Sequence, residues 1–151
     1  MRVSTRGDYA CRALLSMALH VEDSPTQSVR DIALRTGLPQ PYLEQILLAL
    51  KGAGLVRSKR GVGGGYVLAR PTEEVTLAEI VSAVDGPIQL GDFGLPHKDG
   101  ACDHEGQCVL LAVWNDVGAH MRMHLQAHTL AQMVQRANGM PVPPAPVIDH
   151  H

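Results

Sequence analysis

The stretch from Leu50 to Pro71, LKGAGLVRSKRGVGGGYVLARP, decides the fold. Two short β-like runs, residues 55–59 and 66–69, flank a tip that carries Arg60 and four glycines, Gly61 and Gly63 to Gly65. Glycine permits the positive φ angles of a hairpin turn, and it also lets backbone approach a phosphate chain closely. The stretch predicts a β-hairpin whose tip presents a guanidinium group, which suits the negative potential of a DNA minor groove.

Two helices are predicted at the start of the chain. Thr5 with Asp8 has the form of a capping box and begins a helix that runs to about residue 21. Ser28 with Asp31 repeats this start signal, and Gly37 is placed to end a second helix of barely two turns.

A third helix is predicted between Pro41, which suits a first helical turn, and Gly54, which stops it. Four apolar residues follow the i, i+3, i+4, i+7 spacing of a buried face: Leu43, Ile46, Leu47 and Leu50. Two helices joined by a glycine-containing turn form a helix-turn-helix, and the hairpin after them makes it a winged helix. The predicted fold is mainly α, with a small β-hairpin wing.

The second half of the chain predicts a capped helix, a loop and a long helix. Thr76 with Glu79 starts the capped helix, and Gly86 ends it. A helix over 108–138 carries an apolar stripe and is too long for a domain of this size, so the stripe is expected to bury against a second subunit: Leu110, Trp114, Val117, Met121 and Leu125. We expect a winged helix-turn-helix DNA-binding domain over 1–86, a cofactor or sensor loop over 87–107, a dimerisation helix over 108–138 and a disordered tail over 139–151.

Charge is unevenly divided along the chain. Up to Val75 there are ten Lys and Arg against seven Asp and Glu, and from Thr76 on there are three against eight. Because phosphate attraction follows local charge, only the first half is expected to draw nucleic acid. Three cysteines and the lack of any run of about 18 apolar residues favour a cytoplasmic protein with no membrane span.

With these features assembled, the chain resembles the iron-sulfur cluster regulators of the IscR/NsrR kind, the Rrf2 family. Five stretches carry the resemblance: MRVSTRGDYA, YLEQILLALKGAGLV, RGVGGGYVLARP, TLAEIVSAVDG and CDHEGQCVLLAVW. It implies a homodimeric winged-helix transcription factor, expected to be a repressor, that binds a double-stranded DNA operator. Pro39 and Pro41 replace the small hydroxyl residues that relatives often have there, so the operator is expected to differ.

The candidate DNA-binding residues come from the helix-turn-helix, the wing and the amino terminus. The resemblance places Glu44, Gln45 and Arg60 at bases or in the minor groove. The full set is Ser4, Thr5, Arg6, Ser28, Gln40, Tyr42, Glu44, Gln45, Arg57, Lys59, Arg60, Gly63 and Gly64.

The resemblance also implies a cluster in the loop before the long helix. Cluster-binding relatives have three cysteines, each separated by five residues; Cys102 and Cys108 fit that register, but the first position is Pro96. The histidine ligand of the IscR type falls on Leu111, whereas the carboxylate that some NsrR-like members use matches Asp8. The candidate ligands are Cys102, Cys108, Asp8, His97 and His104, and a 2Fe-2S cluster is expected, since thiolates suit sulfide-bridged iron.

Several alternatives stay open for this loop and its ligands. The cluster could be 4Fe-4S or absent, and the two cysteines could form a thiol/disulfide sensor or part of a zinc site. Asp8 could simply cap the first helix. A thiol oxidoreductase is disfavoured, because the cysteines do not form a C-x-x-C motif and the chain lacks a Ser/His/Asp set, a P-loop and a Rossmann fingerprint. A winged helix used as a protein adaptor is the remaining alternative.

Other residues have a structural and a chemical interpretation. Cys11 is expected to be a small buried hydrophobe, with a redox or ligand role as the alternative. His120, His124 and His128 recur at i, i+4, i+8, a spacing that can pair two imidazoles on a metal, although we expect them to line the edge of the dimer helix.

Overall fold

The computed structural model describes residues 3–91 and 105–139. This part of the chain contains six α-helices and one two-stranded antiparallel sheet. The elements in order are α1 (Thr5–Leu19), α2 (Val29–Thr36), α3 (Gln40–Gly52), β1 (Val56–Lys59), β2 (Gly65–Leu68), a short 3-10 turn (Thr72–Glu74), α4 (Leu77–Asp85), α5 (Gln107–Gln126) and α6 (Leu130–Ala137). The predicted mainly helical fold with a small hairpin is confirmed.

The start of α1 corrects one predicted cap. Ser4, not Thr5, is the N-cap, and its hydroxyl oxygen accepts from the backbone N–H of Gly7 at 2.9 Å. An N-cap side chain reaches the N–H three residues on, so the cap lies one residue earlier than the Thr5 and Asp8 pattern predicted. The Asp8 carboxylate instead pairs with Arg12 Nε at 2.8 Å.

The predicted starts and ends of α2 and α4 are confirmed, whereas α1 ends at Leu19 and α3 runs from Gln40 to Gly52, each within about two residues of its predicted bounds. Ser28 caps α2, accepting from the backbone N–H of Asp31, and Gly37 ends that helix in the left-handed region at φ 71°. Thr76 and Glu79 form a complete capping box on α4, and Gly86 is its C-cap. These local signals work because each satisfies helix-end groups that have no partner within the helix.

The buried face of α3 forms the centre of the core. Its four predicted apolar residues are fully buried and pack against α1, α2 and the start of β1: Leu43, Ile46, Leu47 and Leu50. Leu48, on the same helix, is exposed. The helical spacing therefore identified both the element and its inward face.

The tip of the hairpin is shaped by its own backbone contacts. The strands pair antiparallel, from Val56 opposite Leu68 to Lys59 opposite Gly65. A Cβ on Gly64 would collide with the carbonyl oxygens of Lys59 and Gly61, and a Cβ on Gly65 would collide with the backbone of Gln27. The fold itself thus requires glycine at both positions, without any reference to a phosphate.

Gln27 joins the wing to the helices. Its backbone forms a β-bridge with Tyr66, through hydrogen bonds of 2.9 Å and 2.8 Å in the two directions. Its side chain is 2% exposed; Nε2 donates to the carbonyl of Met17 at 2.8 Å, and Oε1 accepts from the Arg35 guanidinium. Arg35 Nε also donates to Ser16 Oγ at 2.9 Å. One residue therefore links α1, α2 and β2.

The carboxyl-terminal half corrects a second prediction. The single helix expected over 108–138 is wrong, because α5 ends at Gln126 and α6 starts after a new capping box formed by Thr129 and Gln132. Leu130 is fully buried in the main core, and its N–H donates to the carbonyl of Val75 at 2.7 Å. The segment from Leu130 on therefore packs with the amino-terminal helices.

Replacing Gln27 by Ala is expected to lower the free energy of unfolding by about 1–3 kcal/mol, because it leaves the Met17 carbonyl and the Arg35 guanidinium without their buried partner. Urea unfolding of the two proteins measures the difference. The matched control is Gln45→Ala, an exposed glutamine of α3, which should change stability by less than about 0.5 kcal/mol. Equal stabilities of the two variants would show that the buried Gln27 side chain does not stabilise its contacts with α1 and α2.

Candidate nucleic-acid interface

The outer face of α3 presents polar side chains. Gln40, Glu44 and Gln45 are exposed, while Leu43 and Ile46 beside them on the chain are fully buried. Packing of the apolar stripe into the core leaves the opposite face to solvent. The three side chains are thus available to a partner in the position that a recognition helix requires.

Tyr42 differs from its polar neighbours on α3. It is half-buried against the main core, and its ring lies edge-on to Tyr9, with centroids 5.7 Å apart at 82°. The Arg12 guanidinium lies 5.7 Å from the centre of the Tyr9 ring. The Tyr42 ring therefore helps to dock α3 on α1, and its contact with DNA stays a prediction.

The wing places cations on exposed strand positions and at the tip. Arg57, Lys59 and Arg60 are exposed, and Gly63 takes a left-handed φ of 73°. Val62 is also fully exposed at the tip, a position that sequence reasoning missed. The sequence did carry a signal for this exposure, because Val62 lies between two glycines at the hairpin tip and so has no neighbouring side chain to pack against.

The amino-terminal candidates have internal contacts. Ser4 Oγ donates to the Asp85 carboxylate, 2.6 Å from one oxygen and 2.7 Å from the other, while Ser28 Oγ accepts from the backbone N–H of Asp31. Thr5 is exposed. Arg6 is half-buried, and its Nε is buried with no hydrogen-bond partner among the described residues.

Cys11 lies between the main core and a smaller apolar cluster of α4 and the chain that follows it. Burial, followed by the charges of Asp8 and Asp85, raises the pKa of its thiol from 9.0 to about 11. A thiol with that pKa is protonated and weakly nucleophilic near neutral pH. The structure therefore supports the interpretation of Cys11 as a small hydrophobe.

The candidate cluster ligands are only partly described. Cys102, His97 and His104 lie outside the described residues. Cys108 is exposed in the first turn of α5. It borders an open apolar groove of about 500 Å³ that continues along the helix: Cys108, Val109, Ala112, Val113 and Asp116.

The thiol of Cys108 and the carboxylate of Asp8 are groups that can bind the iron of a cluster, but these two residues do not form a complete site by themselves. Asp8 is half-exposed and would have to release Arg12 in order to bind a metal. Within 3–91 and 105–139 there is no group of three or more His, Cys, Asp or Glu that could hold a metal ion. Any cluster therefore depends on the undescribed loop or on a second subunit.

The three histidines of the carboxyl-terminal half do not share one helix. His120 Nδ1 lies 2.8 Å from the Asp116 carbonyl oxygen, within α5. His128 lies beyond the end of α5, and its Nε2 is 3.3 Å from Nε2 of His124. The expectation that all three line a continuous helix edge is therefore wrong.

A helix-turn-helix with a polar outer face, followed by a wing with exposed cations, defines a winged-helix DNA-binding protein. The chain matches the family described as "Rrf2: Iron-dependent Transcriptional regulator" over residues 3–136. The protein is therefore a transcriptional regulator of the Rrf2 family.

Individual relatives support this assignment. The HTH-type transcriptional regulator IscR of Cereibacter sphaeroides is 33% identical over 150 residues, which span 98% of this chain and 96% of that protein. Among solved structures, T. potens IscR is 34% identical with a TM-score of 0.70, over 91% of this chain and 88% of the other. CymR, the global cysteine regulator of B. subtilis, is 29% identical with a TM-score of 0.74, over 90% of this chain and 98% of the other.

These relatives are named regulators and not enzymes, in agreement with the sequence-based expectation. Across the described ranges, none of the helices has the length and apolar character needed to cross a membrane.

The raised pKa of Cys11 predicts a pH dependence of stability. The protonated thiol favours the folded state, so this contribution is fully present below pH 9.0 and is lost as the pH rises through about 11. The full change is worth at most about 3 kcal/mol. Urea unfolding at about pH 8 and about pH 11 should show a larger loss for the wild type than for Cys11→Ala, which lacks the titrating group. Equal losses of unfolding free energy in the two proteins would show that folding does not change the pKa of the Cys11 thiol.

Proposed function

We propose that this protein is a homodimeric, cytoplasmic repressor that binds an operator with α3 and the wing and responds to the state of the Cys102 and Cys108 loop. One observation carries the DNA-binding part of the proposal. The outward residues of α3 and Arg60 at the wing tip are exposed. Gln27 ties the wing to α1 and α2, and α3 packs against these two helices in the main core. A rigid pair of reading elements is what adjacent grooves of a duplex require.

Each element has a distinct role in this proposal. Glu44 and Gln45 approach base edges in the major groove, where a carboxylate accepts from cytosine and an amide matches adenine. Arg60 enters the minor groove, and Arg57 and Lys59 contact phosphates. No side chain caps the first turn of α3, so its backbone N–H groups can donate to a phosphate as well.

The proposed second subunit covers α5. Its exposed apolar side chains follow the predicted stripe and its flank: Val109, Leu110, Val113, Trp114 and Val117. A contiguous apolar surface of this kind is typical of a protein interface, and a two-fold dimer matches the symmetry of a palindromic operator. At the carboxyl end of the stripe Leu125 packs against the smaller apolar cluster of the same chain, so the proposed interface is the amino-terminal part of α5.

The proposed sensor combines the thiols of Cys102 and Cys108 with other ligands. Asp8 of a second subunit and His97 or His104 would complete the set that holds an iron-sulfur cluster, with 2Fe-2S favoured over 4Fe-4S. Such a cluster supplies a one-electron redox centre that is sensitive to its ligands and to solvent. Cys108 and Asp8 supply exposed donors of the right chemistry, and the Rrf2 relatives named IscR support the assignment.

The chain also offers a route from the loop to the DNA-binding surface. Asp85 is the last residue of α4, directly before Gly86 and the loop, and its carboxylate accepts from the Ser4 hydroxyl that caps α1. A rearrangement of the loop that moves Asp85 would therefore change the first turn of α1. Thr5 and Arg6 in that turn are candidate DNA contacts.

A second candidate mechanism is a thiol switch without a cluster. The exposure of Cys108 favours it, as does the structural similarity to CymR, the global cysteine regulator of B. subtilis. In this version a disulfide or another oxidised form of Cys108 would change DNA binding.

Arg60→Ala is expected to weaken operator binding by about 1–3 kcal/mol, and to lower the salt slope by about one if the guanidinium also meets a phosphate. Fluorescence anisotropy across a salt series measures both quantities. Arg136→Ala removes an exposed cation from α6 in the acidic half of the chain and is the control. Equal affinities of the two variants would contradict wing binding and favour the protein-adaptor alternative.

Cys108→Ala is expected to abolish the difference in operator affinity between anaerobic and air-oxidised protein, while Cys11→Ala keeps it. Iron and sulfide content of anaerobic wild type distinguishes the mechanisms: about two irons per chain indicate a 2Fe-2S cluster. Iron-free protein whose affinity is restored by a thiol reductant indicates the thiol switch. A redox response that survives in Cys108→Ala would refute both.

A further inference from the structure

Two histidines at the junction of α5 and α6 have the geometry of metal ligands. Nε2 of His124 lies 3.3 Å from Nε2 of His128, and the ring centroids are 4.9 Å apart with planes at 78°. Two imidazoles on one tetrahedral Zn²⁺, each with a Zn–N distance of about 2.0–2.1 Å, place their nitrogens about 3.3–3.4 Å apart. The same separation allows a hydrogen bond between the two Nε2 atoms when one of them carries a proton, so a bound metal would take the place of that proton.

Both side chains start from backbone that is already fixed. His124 is in the last turn of α5, where its carbonyl accepts from Ala127. The His128 carbonyl accepts from the N–H of Leu77 at 2.9 Å, and Thr129 next to it bridges Thr76. The pair therefore requires little ordering to bind a metal, which lowers the entropic cost of binding.

We propose that His124 and His128 bind a divalent transition metal, with Zn²⁺ as the best match, through their two Nε2 atoms. Neutral imidazole suits zinc, copper and nickel better than magnesium or calcium. The described residues offer no third His, Cys, Asp or Glu to the pair, so water or another small ligand completes the coordination. This is an open, exchangeable site that is separate from the Cys102 and Cys108 loop.

The two helix dipoles at this site largely offset each other. A cation between His124 and His128 lies at the carboxyl end of α5, which favours it, and ahead of the amino end of α6, which does not. The affinity for the metal therefore comes from its bonds to the two imidazoles. The bound metal would link the end of α5 to the segment that pairs with the start of α4, and would so fix the angle at which α5 leaves the core.

The test is calorimetric titration of Zn²⁺ into full-length protein that carries Cys102→Ser and Cys108→Ser, so that thiolates do not compete. Adding His124→Ala or His128→Ala is expected to weaken Zn²⁺ binding at least about tenfold. Loss of a residue that only supports a metal ligand already costs about 10–100-fold in affinity, and loss of a ligand should cost no less. His120→Ala, one turn earlier on α5, is the matched control and should bind as the parent does. His150→Ala with His151→Ala tests whether the terminal histidines supply the binding instead.

Thermal unfolding provides an independent measurement on the same proteins. Parent and His120→Ala should show a thermal midpoint that rises with Zn²⁺ concentration, while His124→Ala should show no such rise. His124 is exposed, so this variant is expected to fold, and far-UV circular dichroism verifies it. Zn²⁺ affinities that are equal in parent and His124→Ala, or binding lost only in the terminal-histidine variant, would overturn the proposal.

Discussion

Gln27 is the residue on which the position of the wing relative to the first two helices depends. Its backbone pairs with Tyr66 of the wing, and its side chain bonds the carbonyl of Met17 in α1 and the guanidinium of Arg35 in α2. A buried polar group is costly unless it is satisfied, and here both side-chain groups and both backbone groups have partners. Because these partners belong to different elements, the wing cannot shift relative to the helix-turn-helix without breaking buried hydrogen bonds.

The same contact explains part of the glycine content of the wing. Gly65 pairs with Lys59, and its missing Cβ is what lets the backbone of Gln27 come close. Gly64 closes the turn against the carbonyls of Lys59 and Gly61. The glycine run, which as sequence looked adapted to a phosphate chain, thus first serves the internal packing of the hairpin. At the tip, the exposed side chains are those of Arg60 and Val62, and they are accessible to a binding partner.

Local sequence signals were enough to predict most helices and the hairpin. The contacts between residues far apart in the chain could not be predicted. The α3 stripe and the caps at Ser28 and Thr76 depend on neighbours within one or two turns, so periodicity and capping rules found them. The Thr129 capping box was equally local, but the predicted helix extended to residue 138, past an apolar stripe that ends at Leu125, and so passed over the break. Gln27 gave no signal, because its partners lie elsewhere in the chain. Exposure of Glu44 and Gln45 followed from the α3 period, whereas the ligands Cys102, His97 and His104 lie outside the described residues.

The Asp85 carboxylate shows how the carboxyl end of one helix can depend on the start of another. A negative charge at the carboxyl end of α4 is disfavoured by the dipole of its own helix, but it meets the favourable amino end of α1, where Ser4 donates to it. Gly7 makes the approach possible, since a Cβ there would lie 2.8 Å from Asp85 Oδ2. The two helix ends therefore stabilise each other only in one relative position. Because the predicted sensor segment, residues 87–107, begins two residues after Asp85, the proposed response to Cys102 and Cys108 would reach this contact before it reached the first turn of α1.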